Sequence, residues 1–127
     1  MQAAEVDWIL KAMVAVAAAD GRLHAREVGL IQKVYQKQTG HPVDVGGVAM
    51  AAETYAMKRD VLVELSAVAG GMSQETKEEI IRAAYLVLLA DNRIAGEERK
   101  MLQDIAAALQ VSKSHFDAII RAVRVFG

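Results

Sequence analysis

Two short acidic turns carry the residues of this chain best equipped for chemistry. Asp20 stands seven residues before Glu27, and Asp91 stands seven residues before Glu98. The first turn reads Ala19-Asp-Gly-Arg-Leu-His-Ala-Arg-Glu27 and the second Ala90-Asp-Asn-Arg-Ile-Ala-Gly-Glu-Glu98. Carboxylates are hard oxygen donors, the natural ligands of Ca²⁺ or Mg²⁺, and four gathered without a cation repel one another. One chemistry open to Asp20, Glu27, Asp91 and Glu98 is therefore coordination of one or two divalent metal ions. The loop is not an EF-hand, which needs oxygen ligands at alternating positions; here Arg22 stands two residues after Asp20.

The same residues have a purely structural reading. Glu27 and Glu98 fall about three residues into helices, where a Glu folds back onto the cap as half of a capping box. Neither His24 nor Ala95, at the cap positions, is a preferred cap residue, so only the Glu half is expected. Asp20 and Asp91 can bond turn backbone two residues on, and Arg22 and Arg93 can pair with them. Both readings stay open on the residues alone.

Other reactive side chains offer less. His24 could add a nitrogen ligand, but a solvated loop histidine is the plainer reading, and nothing gathers His24, His41 and His115. There is no cysteine, hence no thiolate zinc site, catalytic thiol or disulfide. No nucleophile triad order, phosphate-binding glycine loop or His-Glu-x-x-His motif is visible. Trp8 reads as core. Met50 and Met57, around Ala51, Ala52 and Tyr55, read as core before they read as an exposed groove.

The elements that must position the turns are helical. Good helix formers dominate, there is one proline, and period-two alternation is nowhere sustained. Apolar residues recur at helical spacing in seven stretches: about Glu5–Ala19, Ala25–Gly40, Asp44–Tyr55, Lys58–Ala69, Ser73 to Asp91, Gly96–Gln110, and from Ser112 onward. Asp44, Ser73 and Ser112 are the expected caps. Gly40 before His41-Pro42 ends the second helix, and Gly70-Gly71 the fourth. Val61, Leu62, Leu65 and Val68 are expected to be the buried face of the fourth helix. The fifth helix carries the widest apolar stripe and is expected to be central. A shift of 71 residues carries Asp20 onto Asp91, Leu23 onto Ile94, Glu27 onto Glu98, Ile31 onto Leu102 and Val34 onto Ile105. The chain thus reads as one domain over 1–127, with repeat halves at about 5–40 and 76–110 related by a pseudo-two-fold.

Formal net charge is −1, with 15 basic and 16 acidic residues, which argues against nucleic acid as a partner. No apolar run reaches the ~18–20 residues that span a bilayer. Glu5 and Asp7 stand where a signal peptide carries basic residues. The expectation is a mature soluble chain, or a soluble piece of something larger, in the cytoplasm.

The duplicated Ala-Asp-(Gly/Asn)-Arg-(Leu/Ile) turn with Glu seven residues after the Asp resembles the tellurite-resistance TerB family. It also resembles the related helical domain of DjlA-type membrane-anchored J-domain co-chaperones. The ending Val111-Ser-Lys-Ser-His-Phe-Asp117 is similar to that family's last helix. The likeness is close over residues 8–40 and 77–125 and loose over 43–72. Asn92 departs from the Gly the motif prefers, but Asn tolerates a left-handed turn. The resemblance implies an all-α bundle of about seven helices with a divalent-metal site at the acidic residues. It further implies association with stress-response or membrane-linked protein complexes. The expected activity is non-enzymatic, with other proteins as partners and the oligomeric state open. A metal-free protein-interaction domain, as in a co-chaperone, is the rival. An enzyme using the carboxylates would need a substrate cleft beside the turns.

Overall fold

The computed structural model describes residues 3–19, 23–56, 58–91 and 96–126, the side chains of 3–5, 54–60, 91 and 126 excepted. Among these residues there are seven helices and no strand. They are α1 (Ala3–Ala17), α2 (Ala25–Thr39), α3 (Val45–Ala56), α4 (Lys58–Ala69), α5 (Gln74–Asp91), α6 (Gly96–Ala108) and α7 (Lys113–Phe126).

The expected caps start three of these helices. The first turn of a helix leaves backbone N–H groups without intrahelical acceptors, and a short oxygen-bearing side chain satisfies one of them. Asp44 Oδ1 accepts from Gly47 N–H at 2.7 Å, Ser73 Oγ from Thr76 N–H at 3.1 Å, and Ser112 Oγ from His115 N–H at 3.2 Å. Gly47 is needed for this: a Cβ there would lie 2.8 Å from Val43 Cγ2 and 3.3 Å from the capping oxygen. Gly40 ends α2 in the left-handed region, φ 77°, and donates to Gln36 O at 2.9 Å. The end of α6 uses the same conformation without glycine. Gln110 has φ 62°, with Val111 N–H donating to Ala106 O and Gln110 N–H to Ala107 O, both at 3.0 Å. That pair of bonds is a Schellman motif, and buried Val111 and Ala106 supply its apolar contact.

The core is built around α1 and α5, which pack on each other more extensively than any other pair. From Ala12 to Ala17 every residue of α1 is buried, on all sides of the helix. Only a run of small and medium apolar side chains can do this, because each neighbouring helix must approach closely. The expected central role of α5 therefore belongs equally to α1. α2 packs on α5 and α6 on α1, the crossed pattern a pseudo-two-fold between two hairpins requires. The same 71-residue shift also carries α3 onto α7. Val48 falls on Ile119, both buried, and α3 packs on α1 as α7 packs on α5. The repeat is three helices long, with α4 between the copies, packed on α6.

A core position expected on α4 is corrected. Val68 is 40% exposed, and Ala69 is buried in its place. The inward face of α4 is Val61, Leu65 and Ala69, successive steps of four residues, and Val68 lies off that line.

Candidate metal centre

Glu27 and Glu98 are related by the repeat, and each occupies the first turn of the second helix of its hairpin. Both are buried, at 1% and 3% exposure, and with Thr76 they are the polar or charged side chains of the described core. A glutamate at a helix start ordinarily reaches solvent; here α2 lies on α5 and α1, and α6 on α1 and α5, so Glu27 and Glu98 face the bundle while their neighbours Arg26 and Glu97 stay exposed. The positive end of a helix favours a carboxylate by about 0.3–1 kcal/mol, and by up to ~2 when partly buried. His24 N–H adds a hydrogen bond to Glu27 Oε1 at 2.9 Å, and the His24 side chain in turn faces the Glu27 backbone N–H, so both halves of a capping box are present where only the Glu half is expected. A bond to a charged group contributes about 1.5–3 kcal/mol. Removing a carboxylate from water costs several kcal/mol, so terminus and cap together roughly offset the burial of Glu27.

The other predicted ligands fall elsewhere in the description. Asp20 lies outside the described residues, as do Arg22, Arg93 and Ala95; Asp91 ends α5, and its side chain is outside them too. Among the described residues no group of three or more His, Asp or Glu side chains could hold a metal ion. The four-carboxylate set includes two members beyond that description. In donor chemistry Glu27 and Glu98 fit a hard divalent cation and do not fit a soft one.

The remaining candidates sort by burial. His24 is half-buried at the start of α2, and His41 is exposed. His115 joins the N-terminal turns of α7 and α5. Its Nδ1 lies 2.8 Å from Gln74 Nε2 and its Nε2 3.2 Å from Glu78 Oε2. The amide donates to Nδ1, which assigns the ring hydrogen to Nε2. Trp8 is half-buried against the core, with Lys11 Nζ 4.7 Å from its ring centre and also paired with Asp7 at 3.1 Å. Met50 is 71% exposed, against the core reading, while Ala51 beside it is buried. The side chains of Tyr55 and Met57 lie outside the described residues. The helical spacing places Tyr35 on the core face of the second helix, and it is buried there. Burial pushes its phenol above the usual tyrosine range, and the Asp7 charge adds to the effect.

These features define a class: a duplicated all-α bundle with a buried glutamate opening the second helix of each half. The model of one family, Tellurite resistance protein TerB, matches residues 12–121, most of the chain. The chain belongs to that family. No curated protein and no solved structure matches it. No described helix is long and apolar enough to cross a membrane.

Proposed function

We propose that this TerB-family chain is a non-enzymatic module that binds a divalent metal ion, Ca²⁺ or Mg²⁺, at its paired acidic turns. Asp20, Glu27, Asp91 and Glu98 would hold the ion. The ion would supply fixed positive charge between the repeats, and the module would act in a stress-response or membrane-associated protein complex on the cytoplasmic side. The observation that carries this reading is the burial of Glu27 and Glu98 at equivalent positions of the two repeats. Two carboxylates withdrawn from water at symmetry-related places are what a shared cation would stabilise.

The test is calorimetric titration of Ca²⁺, Mg²⁺, Mn²⁺ and Zn²⁺ together with melting temperature. Saturable binding with a rise in melting temperature is expected, and Asp20→Ala or Asp91→Ala should abolish binding while the domain stays folded. An ion at a hundred times its dissociation constant adds about 2.7 kcal/mol to stability. No heat and no shift at millimolar metal would leave the second reading, a metal-free protein-interaction domain. The His24–Glu27 bond favours that alternative, because it gives one of the buried carboxylates work to do without a metal.

A further inference from the structure

The two repeats share an order of helices but differ in packing. α3 packs on both α1 and α2, whereas its counterpart α7 packs on α5 and makes few contacts with α6 among the described residues. A cleft opens between α6 and α7. Two concavities run along it, joined at Phe116 and Asp117, and a third, on α7 alone, adjoins them at Ile120 and Arg124. Leu88 of α5 lies at its floor. Phe116 and Ile120, on the apolar face of α7, stay half-buried because they line the cleft instead of closing it.

The rim is basic. Arg99 stands on the α6 side, and Lys113, Arg121 and Arg124 stand along α7, all exposed. The acidic side chain in the lining is Asp117, which sits 3.8 Å from Lys113. From Lys113 to Val125 the α7 wall runs about 18 Å, the length of a helix of roughly 12 residues. An apolar floor between basic edges matches one kind of helix: apolar at every third or fourth residue, acidic on its flanks. A flat membrane surface would meet the rim but not the recessed floor.

We propose that the α6–α7 cleft is a docking groove for an acidic amphipathic helix of a partner protein. This deepens the partner-binding half of the proposed function, on which it rests, and is independent of the metal half. Docking sets the apolar stripe of the helix on Phe116 and Ile120, which lie over buried Leu88, and its acidic flanks on Arg99, Arg121 and Arg124. The charges speed association and make it salt-sensitive, and the floor holds the complex.

The test uses the full chain and a synthetic capped peptide with Leu at helical spacing and Glu on both flanks, followed by fluorescence anisotropy. Saturable binding that weakens with added salt is expected. The matching peptide with Lys for Glu should not bind. Arg99→Glu with Arg124→Glu should weaken binding at least about tenfold. Ala107→Trp, which narrows the cleft without changing charge, should also weaken it and serves if the charge-reversed protein fails to fold. Equal binding of both peptides, no saturation, or full binding by folded variants would overturn the proposal. So would capture by mixed phosphatidylcholine–phosphatidylserine vesicles with none by the peptide. The metal reading fails separately, on the titration of the acidic turns.

Discussion

Glu27 is the residue at which the structural and metal readings of the acidic turns divide. Glu27→Ala removes the bond from His24 N–H and should cost about 1–2 kcal/mol of stability. Glu27→Gln keeps an amide oxygen for that bond and should cost less. Repeating both melts with Ca²⁺ separates the readings: an ion-binding glutamate loses the Ca²⁺-dependent rise in melting temperature in either variant, whereas a plain cap shows no such rise to lose. Tyr35 makes a second prediction. Its phenol is held above its ordinary value near 10 by burial and by Asp7. A raised pKa means the folded state keeps the proton after the unfolded chain releases it, so this contribution is full below about pH 10 and is lost as pH rises toward the folded value. Urea midpoints measured across that range should fall more steeply for the native protein than for Tyr35→Phe; parallel curves would contradict the assignment. Sequence reasoning singled out Glu27 and Glu98 because the repeat pairs them, but it could not show that both are buried. A helix start is normally solvated, and only the crossing of α2 and α6 over the central pair covers these two.

At the scale of elements, local chemistry decided most boundaries. Asp44, Ser73 and Ser112 cap α3, α5 and α7, and Gly40 closes α2, because these residues satisfy or relax backbone groups within a few positions of themselves. The end of α6 was less legible, since Gln110 holds a conformation that glycine usually fills. A side chain in the left-handed region costs about 1–2 kcal/mol, and glycine's extra freedom in the unfolded chain gives back about 0.5–1 of that. Gln110→Gly should therefore raise the urea midpoint by the equivalent of about 0.5–1 kcal/mol with an unchanged slope. A lower midpoint would mean the Gln110 side chain contributes more than its backbone strain costs. The faces of the helices were readable to within one position. Ile31, Leu65, Ile80, Leu102 and Ile105 are buried as the helical spacing demands, while Val68 fell off the inward line.

At the scale of the molecule, the duplication organises both the fold and the proposed site. It was readable over the two hairpins because the acidic turns and the apolar residues beside them are retained in both copies. It was not singled out for α3 and α7, where the shift pairs Val48 with Ile119, Ala51 with Ala122 and Tyr55 with Phe126 but no acidic turn marks the match. Val45 is exposed where Phe116 lines a cleft. The third helix of each copy answers to different neighbours, and its sequence has followed them. Belonging to the TerB family agrees with this whole-chain architecture. The cation proposed to be shared between the repeats is the step that would join architecture to activity. Its most direct measurement is amide NMR with sub-stoichiometric Mn²⁺, following residues 25–28 and 96–99. A single shared ion predicts that both sets broaden together and saturate at one ion per chain. Broadening of one set alone, or of neither, would contradict it.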